Sequence, residues 1–351
     1  MKAVLGLENG QYFFGEGFGV EGKTSGELVF TTQMTGYMEA LTDPGYHGQV
    51  LLFTYPLIGN YGVDRENFQN PRVWAEGCVI HELCRKPAQS SPLHTFFEEN
   101  GLIGVAGIDT RHLTISIREQ GTVRAALVTG SDDWEAAVDL AQKSPDISSR
   151  SLIPDVSCKK PWHQPGNGPR IAVLDLGIKA NILKSLSSRG GDLHVFPHDT
   201  KADEILACRP DGLFISNGPG DPMQAKAAIE AVRELTGQIP IFGTCMGNLV
   251  CGLSLGADYR KMKFGHRGSN QPVRGTDGRI LITSQNHGFV IDDQTLPEGC
   301  RMTYVNCNDG TLEGFEDSSL GICCVQFVPE AHAGPCEMER EYFDKMFRRM
   351  V

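Results

Sequence analysis

The sequence predicts an α/β protein of two domains, and three observations carry that prediction. Its 351 residues correspond to about two domains at roughly 150 residues each. The second half alternates near-continuous apolar runs with helical patterns, as strands buried on both faces of a parallel sheet do. The first half is instead rich in glycine and in short β-type runs broken by turn residues. Hydrophobic residues make up 40% and charged residues 21%, which supplies real cores and excludes a disordered chain.

In chain order, Leu28–Phe30 and Val50–Thr54 read as buried strands, with Asp43-Pro44-Gly45 as a turn between them. From Asp132 and Asp133 the pattern becomes helical, with Trp134, Ala137, Val138 and Ala141 at three- and four-residue spacings. A first domain is expected over 1–156. Residues 157–169 carry two closely spaced Pro/Gly punctuations and few apolar residues, so a linker without regular structure is expected there. The second domain then covers 170–351. In it, Ile171–Leu176, Leu193–Phe196, Gly212–Ser216 and Ile239–Phe242 read as strands, and Lys179–Leu186 and Ala225–Leu235 as helices. Phe343, Met346 and Phe347 fit a closing amphipathic helix, with Lys345, Arg348 and Arg349 suited to its negative dipole end. Trp74, Trp134 and Trp162 read as packing or linker residues. No internal repeat is visible.

The 32 basic and 43 acidic residues leave a net charge of −11, against a sequence-independent nucleic-acid binder. No apolar run approaches the roughly 18 residues of a membrane span, and the N-terminus lacks the apolar core of a signal peptide. The eleven cysteines form no CxxC pair, and neither a disulfide framework nor a metal site is expected. A reducing cytoplasm is the natural setting. No cofactor is called for, since no phosphate-binding glycine signature occurs.

The most informative segment is Ile239–Val250, where an apolar strand runs through Gly243 to Cys245 and Gly247, and helical spacing resumes at Leu249 and Val250. Gly-x-Cys-x-Gly between strand and helix is the cysteine form of a nucleophile elbow. Flanking glycines permit the strained turn and leave room for a substrate carbonyl. The helix N-terminus favours thiolate. A second loop, Ile215-Ser-Asn-Gly-Pro-Gly-Asp-Pro222, places Gly218 and Gly220 around a proline and suits an oxyanion hole; taken alone it is only a turn.

These two segments, with Lys263-Phe-Gly-His266, Gln285-Asn-His-Gly-Phe289 and Pro329-Glu330, resemble the class I glutamine amidotransferases. In the first half Met34–Pro44, Thr54–Asn60 and Gly107–Arg111 narrow the resemblance to the small subunit of carbamoyl phosphate synthetases. The resemblance implies an N-terminal α+β small-subunit domain followed by a flavodoxin-like, mostly parallel amidotransferase domain. It implies a thiolate that attacks the glutamine side-chain amide, a histidine that moves the proton, and a glutamate that orients the histidine. Ammonia then passes to an ATP-dependent large subunit, the candidate partner; no nucleic acid or membrane partner is implied.

Cys245 and Glu330 match that pattern, as do Met246, Gly218, Gly220, Asn286, His287, Gly288 and Phe289. The histidine of the family's His-Pro-Glu is Val328 here, which can neither take nor give a proton. Loss of one member of such a unit costs orders of magnitude in rate. The family's Gly-His-Gln is Gly247-Asn248-Leu249, and its Asp-Pro-Ser is Asp43-Pro44-Gly45. Each lost polar partner leaves a substrate group unpaired, at about 1–3 kcal/mol. Four changes over three segments look like natural divergence.

Three readings follow. The first is a repurposed cysteine enzyme acting on a small acyl, amide or keto substrate, by condensation or cyclisation, in a less polar pocket lined by Gly45, Leu249 and Val328. His287 or His332 is the candidate replacement base, although a solvated loop histidine is the better reading of His332. The second is a non-catalytic partner of a synthetase-type large subunit. The third is a working glutaminase subunit with a displaced histidine.

Overall fold

Apolar β-branched runs and the turn residues between them set the strands of the computed structural model, which describes residues 1–88 and 91–350. The chain divides into two compact units, Met1–Arg150 and Ser151–Val351.

In the first unit the strands are β1 (Lys2–Leu7), β2 (Tyr12–Gly19), β3 (Gly22–Thr31), β4 (Gln49–Phe53), β5 (Leu57–Ile58), β6 (Gly77–Val79), β7 (Glu82–Leu83), β8 (Ile103–Ala106) and β9 (Val123–Thr129). Seven of them close a barrel in the order β1-β2-β8-β6-β4-β3-β9. Closure removes the exposed edges that a glycine-rich sheet would otherwise present. Helices α1 (Tyr37–Thr42), α2 (Leu93–Glu99), α3 (Thr110–Gln120) and α4 (Trp134–Lys143) complete the unit. Asp133 caps α4 by accepting from the Ala136 N–H at 2.9 Å. Ala137 of that helix packs on Val4 and Val128. A Cβ on Gly6 would stand 2.5 Å from the Ala137 carbonyl carbon, so glycine is what lets α4 lie this close to β1.

The second unit contains α5 (Ile153–Val156), β10 (Trp162–Gln164), β11 (Arg170–Asp175), α6 (Ala180–Ser188), β12 (Asp192–Pro197), α7 (Ala202–Ala207), β13 (Gly212–Ile215), α8 (Lys226–Leu235), β14 (Ile241–Thr244) and α9 (Met246–Ser254). It continues with β15 (Tyr259–Gly275), β16 (Ile280–Ile291), β17 (Arg301–Asn306), β18 (Leu312–Asp317), β19 (Ile322–Val325) and α10 (Glu337–Arg349). Among the described residues these strands form one sheet in the order β10-β12-β11-β13-β14-β19-β18-β17-β15-β16. Its central strands, β12-β11-β13-β14-β19, are parallel; the flanks are antiparallel. Alternate residues of β11 feed two cores. Ala172 and Leu174 pack with residues of α7, α8 and α9, while Ile171 and Val173 pack with residues of α6 and α10. Helices on both faces of a parallel core make this the doubly wound α/β arrangement.

The segment 157–169 is not devoid of regular structure, contrary to the sequence expectation. Trp162–Gln164 forms β10 and pairs with β12. The prolines and glycines that suggested a linker lie outside those three paired residues, on a sheet edge where punctuation is tolerated. At the other end of the chain, Lys345 and Arg349 reach the nearly buried Glu316, at 2.8 and 3.0 Å. They clamp α10 to β18. No described helix is long and apolar enough to cross a membrane.

Candidate active site

Strand order reverses between β11 and β13, because β12 lies on one side of β11 and β14 continues on the other. Crevices at the carboxyl ends of strands beside such a reversal are where this class of sheet holds ligands. Three loops meet there, following β11, β13 and β14. Leu176 N–H donates to Ser216 Oγ at 2.9 Å and Lys179 N–H to Asn217 Oδ1 at 3.2 Å. A Cβ on Gly218 would lie 2.3 Å from the Leu176 carbonyl oxygen. Gly218 is therefore needed because it presses against the β11 loop, whereas Gly220 takes a positive φ of 80°.

Cys245 alone makes the turn from β14 into α9, with φ 54° and ψ −106°. A positive φ is strained for a residue with a side chain, and such strain gathers at functional sites. Its N–H donates to the Val325 carbonyl at 2.9 Å, and its own carbonyl accepts from the Asn248 N–H at 3.0 Å. The flanking glycines permit backbone contact rather than leave space for substrate. A Cβ on Gly243 would stand 2.6 Å from the Gly247 carbonyl carbon, and one on Gly247 2.3 Å from the Ile215 oxygen. The residue is 4% exposed, and its Sγ donates to the Asn286 carbonyl at 3.2 Å. Only the thiol makes that bond; a thiolate would face the negative end of the carbonyl dipole.

Val328 follows β19 and is buried, its N–H donating to the Ser284 carbonyl at 2.8 Å. Two residues on, Glu330 is fully buried and pairs with Lys179 Nζ at 2.9 Å. Lys179 Nζ also donates to the Ala331 carbonyl at 3.1 Å. The carboxylate that would orient a histidine is thus held by an ammonium group.

His287, the candidate replacement base, is engaged at both ring nitrogens. Its Nδ1 bonds the Phe289 carbonyl and its Nε2 lies 3.0 Å from Gln285 Oε1. Burial, then the charge of His266, push its pKa well below the ordinary imidazole value. It belongs to a buried cluster with His266 and Glu313. His332 is exposed, and burial of part of its ring followed by the charge of Lys179 lowers its pKa. The bonds of the two buried histidines run to Phe289 and Gln285 from His287, and to Glu313 and Asp309 from His266.

Several residues expected to line a pocket are instead core. Met246, Leu249 and Phe289 pack together in the cluster between α8, α9 and the sheet. Asn248 is fully buried and donates to Gln326 Oε1 at 2.8 Å, beneath the elbow. Asn286 reaches Cys245 through its carbonyl. A Cβ on Gly288 would lie 3.0 Å from Arg267 Nη2. Gly45 lies in the first unit, in the turn Pro44–Tyr46, its N–H donating to Asp43 Oδ1. Sequence reasoning missed Lys179 as a site residue, because nothing in a sequence marks a lysine whose side chain is 6% exposed. Gln326 was visible two positions before Val328, but its tie to Asn248 required the fold.

Residues 5–127 match the family model of the carbamoyl-phosphate synthase small chain, CPSase domain. Residues 172–348 match that of the class-I glutamine amidotransferases. A carbamoyl phosphate synthase small chain from Methanosarcina mazei is 51% identical over 99% of this chain and 98% of its own length. One from Archaeoglobus fulgidus is 45% identical over 95% of each, and one from Clostridium perfringens 42% identical over 97% of each. Two matched domains in order, and relatives aligned end to end, establish that the chain belongs to the carbamoyl phosphate synthase small chain family.

Proposed function

We propose that this chain is a carbamoyl phosphate synthase small subunit whose amidotransferase site does not hydrolyse glutamine, and that it serves a large subunit working from free ammonia. One observation carries the reading: Val328 stands where the family has its histidine, while the neighbouring Glu330 is committed to Lys179. Cysteine attack on an amide needs a group that takes the thiol proton and returns it to the leaving amine. Neither valine nor a lysine already paired with a buried carboxylate does this. Leu249 in the core, in place of the family's substrate-contacting glutamine, further supports the reading.

The repurposed-enzyme reading drew on a less polar ligand pocket lined partly by Leu249. That residue is 2% exposed within an apolar cluster, so the support falls away. A working glutaminase would need another base, and His287 has both nitrogens engaged. The test is co-expression with the large subunit from the same source. The two chains are expected to co-purify and to make carbamoyl phosphate from ammonium, bicarbonate and ATP. Failure to associate would contradict the proposal.

A further inference from the structure

Two groups of side chains among the described residues bring three metal-ligating atoms together. In the buried one, His266 and His287 are already bonded at every ring nitrogen. The other is accessible and lies on the opposite flank of the sheet. On β10 and β12, His163 and His194 are direct cross-strand partners. Their rings stack at 4.3 Å between centroids, 30° apart. Both turn Nε2 toward one carboxylate: His163 Nε2 is 2.6 Å from Asp192 Oδ1 and His194 Nε2 is 3.2 Å from Asp192 Oδ2. All three donor atoms lie within 4.8 Å of one another. The carboxylate is itself fixed, accepting from Gly166 N–H and from Arg170 Nε, each at 3.3 Å.

We propose that His163, His194 and Asp192 form a binding site for one divalent transition-metal ion that ties the edge strand β10 to β12. Two imidazoles and a carboxylate suit Zn²⁺, Ni²⁺, Co²⁺ or Cu²⁺, whereas Mg²⁺ and Ca²⁺ take oxygen donors. Donors about 2.1 Å from a tetrahedral ion stand about 3.4 Å apart. The nitrogen–oxygen gaps here need to open by less than 1 Å. A bound ion takes the Nε2 lone pair of each neutral imidazole, whose single ring hydrogen then sits on Nδ1. Three protein ligands leave open positions to water, so the ion is exchangeable. Arg170 opposes a cation but also donates to the Cys208 carbonyl at 2.8 Å, which keeps it in place as an outer support of Asp192. No sequence motif announced the site, because His163 and Asp192 are 29 residues apart on different strands.

The test uses tag-free, metal-stripped full chain with the exposed Cys307 and Cys336 replaced by Ser. NiCl2 and CoCl2 are titrated by calorimetry, with MgCl2 as control, and Tm is followed in parallel. One equivalent of Ni²⁺ or Co²⁺ is expected, with a rise in Tm, and Mg²⁺ is expected to give neither. His163→Ala and His194→Ala should each weaken binding by about 10-fold or more. His163→Gln gives a second variant that retains a polar side chain on the edge strand. His198→Ala, outside the cluster, should bind normally. Absence of stoichiometric binding, or binding that survives both His163 and His194 substitutions, would overturn the proposal.

Discussion

A buried ion pair is poor evidence for stability, yet breaking one leaves a stranded charge. Glu330 and Lys179 are 0% and 6% exposed, so Lys179→Met should destabilise the protein by about 3–5 kcal/mol. Adding Glu330→Gln should recover part of that loss, read as urea midpoints. A double variant no better than Lys179→Met would show that the pair is not the coupling unit. Val328 and Leu249 make the chemical prediction at this scale. Val328→His with Leu249→Gln should gain glutamine hydrolysis that Cys245→Ala abolishes. The glutamine amide enters an apolar cluster, so the variant should also lose about 1–3 kcal/mol of stability. Equal hydrolysis by the parent and the double variant would contradict the role given to these positions.

Cysteine and its flanking glycines act as one element, and the elbow is where sequence and structure agree in place but differ in reason. Gly247→Ala would set a Cβ 2.3 Å from the Ile215 oxygen. It should cost more than about 2 kcal/mol and lower Tm by several degrees; an unchanged Tm would mean the strand–helix contact is looser than described. The parallel strands and the helices between them were legible because both-face burial writes continuous apolar runs, as in Ile171–Leu174. The antiparallel flank was not. β15 and β16 carry His266, Arg267, Gln285 and His287 in buried positions, and β15 shifts register against β16 at two places, so no clean alternation survives. Val328, where the resemblance implies a histidine, was legible as a residue type, while the lysine paired with Glu330 was not, since burial of a polar side chain depends on partners far away in sequence. His287 shows the converse: its motif is visible, but its engagement by Phe289 and Gln285, two residues to either side on β16, appears only in the fold.

At the scale of the whole molecule, the buried polar cluster makes stability depend on pH. Burial pulls His266 toward the neutral form, but hydrogen bonds to Asp309 and Glu313 and their charges prevail and raise its pKa from 6.5 to about 9. A raised pKa stabilises the folded state fully below about 6.5, and this contribution is lost as pH rises through about 9. The stability gap between the parent chain and His266→Asn should therefore shrink between pH 6 and pH 10, by an amount on the order of 3 kcal/mol. A gap independent of pH would contradict the charged state assigned to His266. Association and chemistry of the proposed two-subunit enzyme also belong to this scale. The most direct measurement is carbamoyl phosphate formation by the purified complex, supplied with glutamine in one arm and ammonium in the other. Synthesis from ammonium with none above background from glutamine is the predicted result. Glutamine-dependent synthesis that disappears in Cys245→Ala would contradict the account.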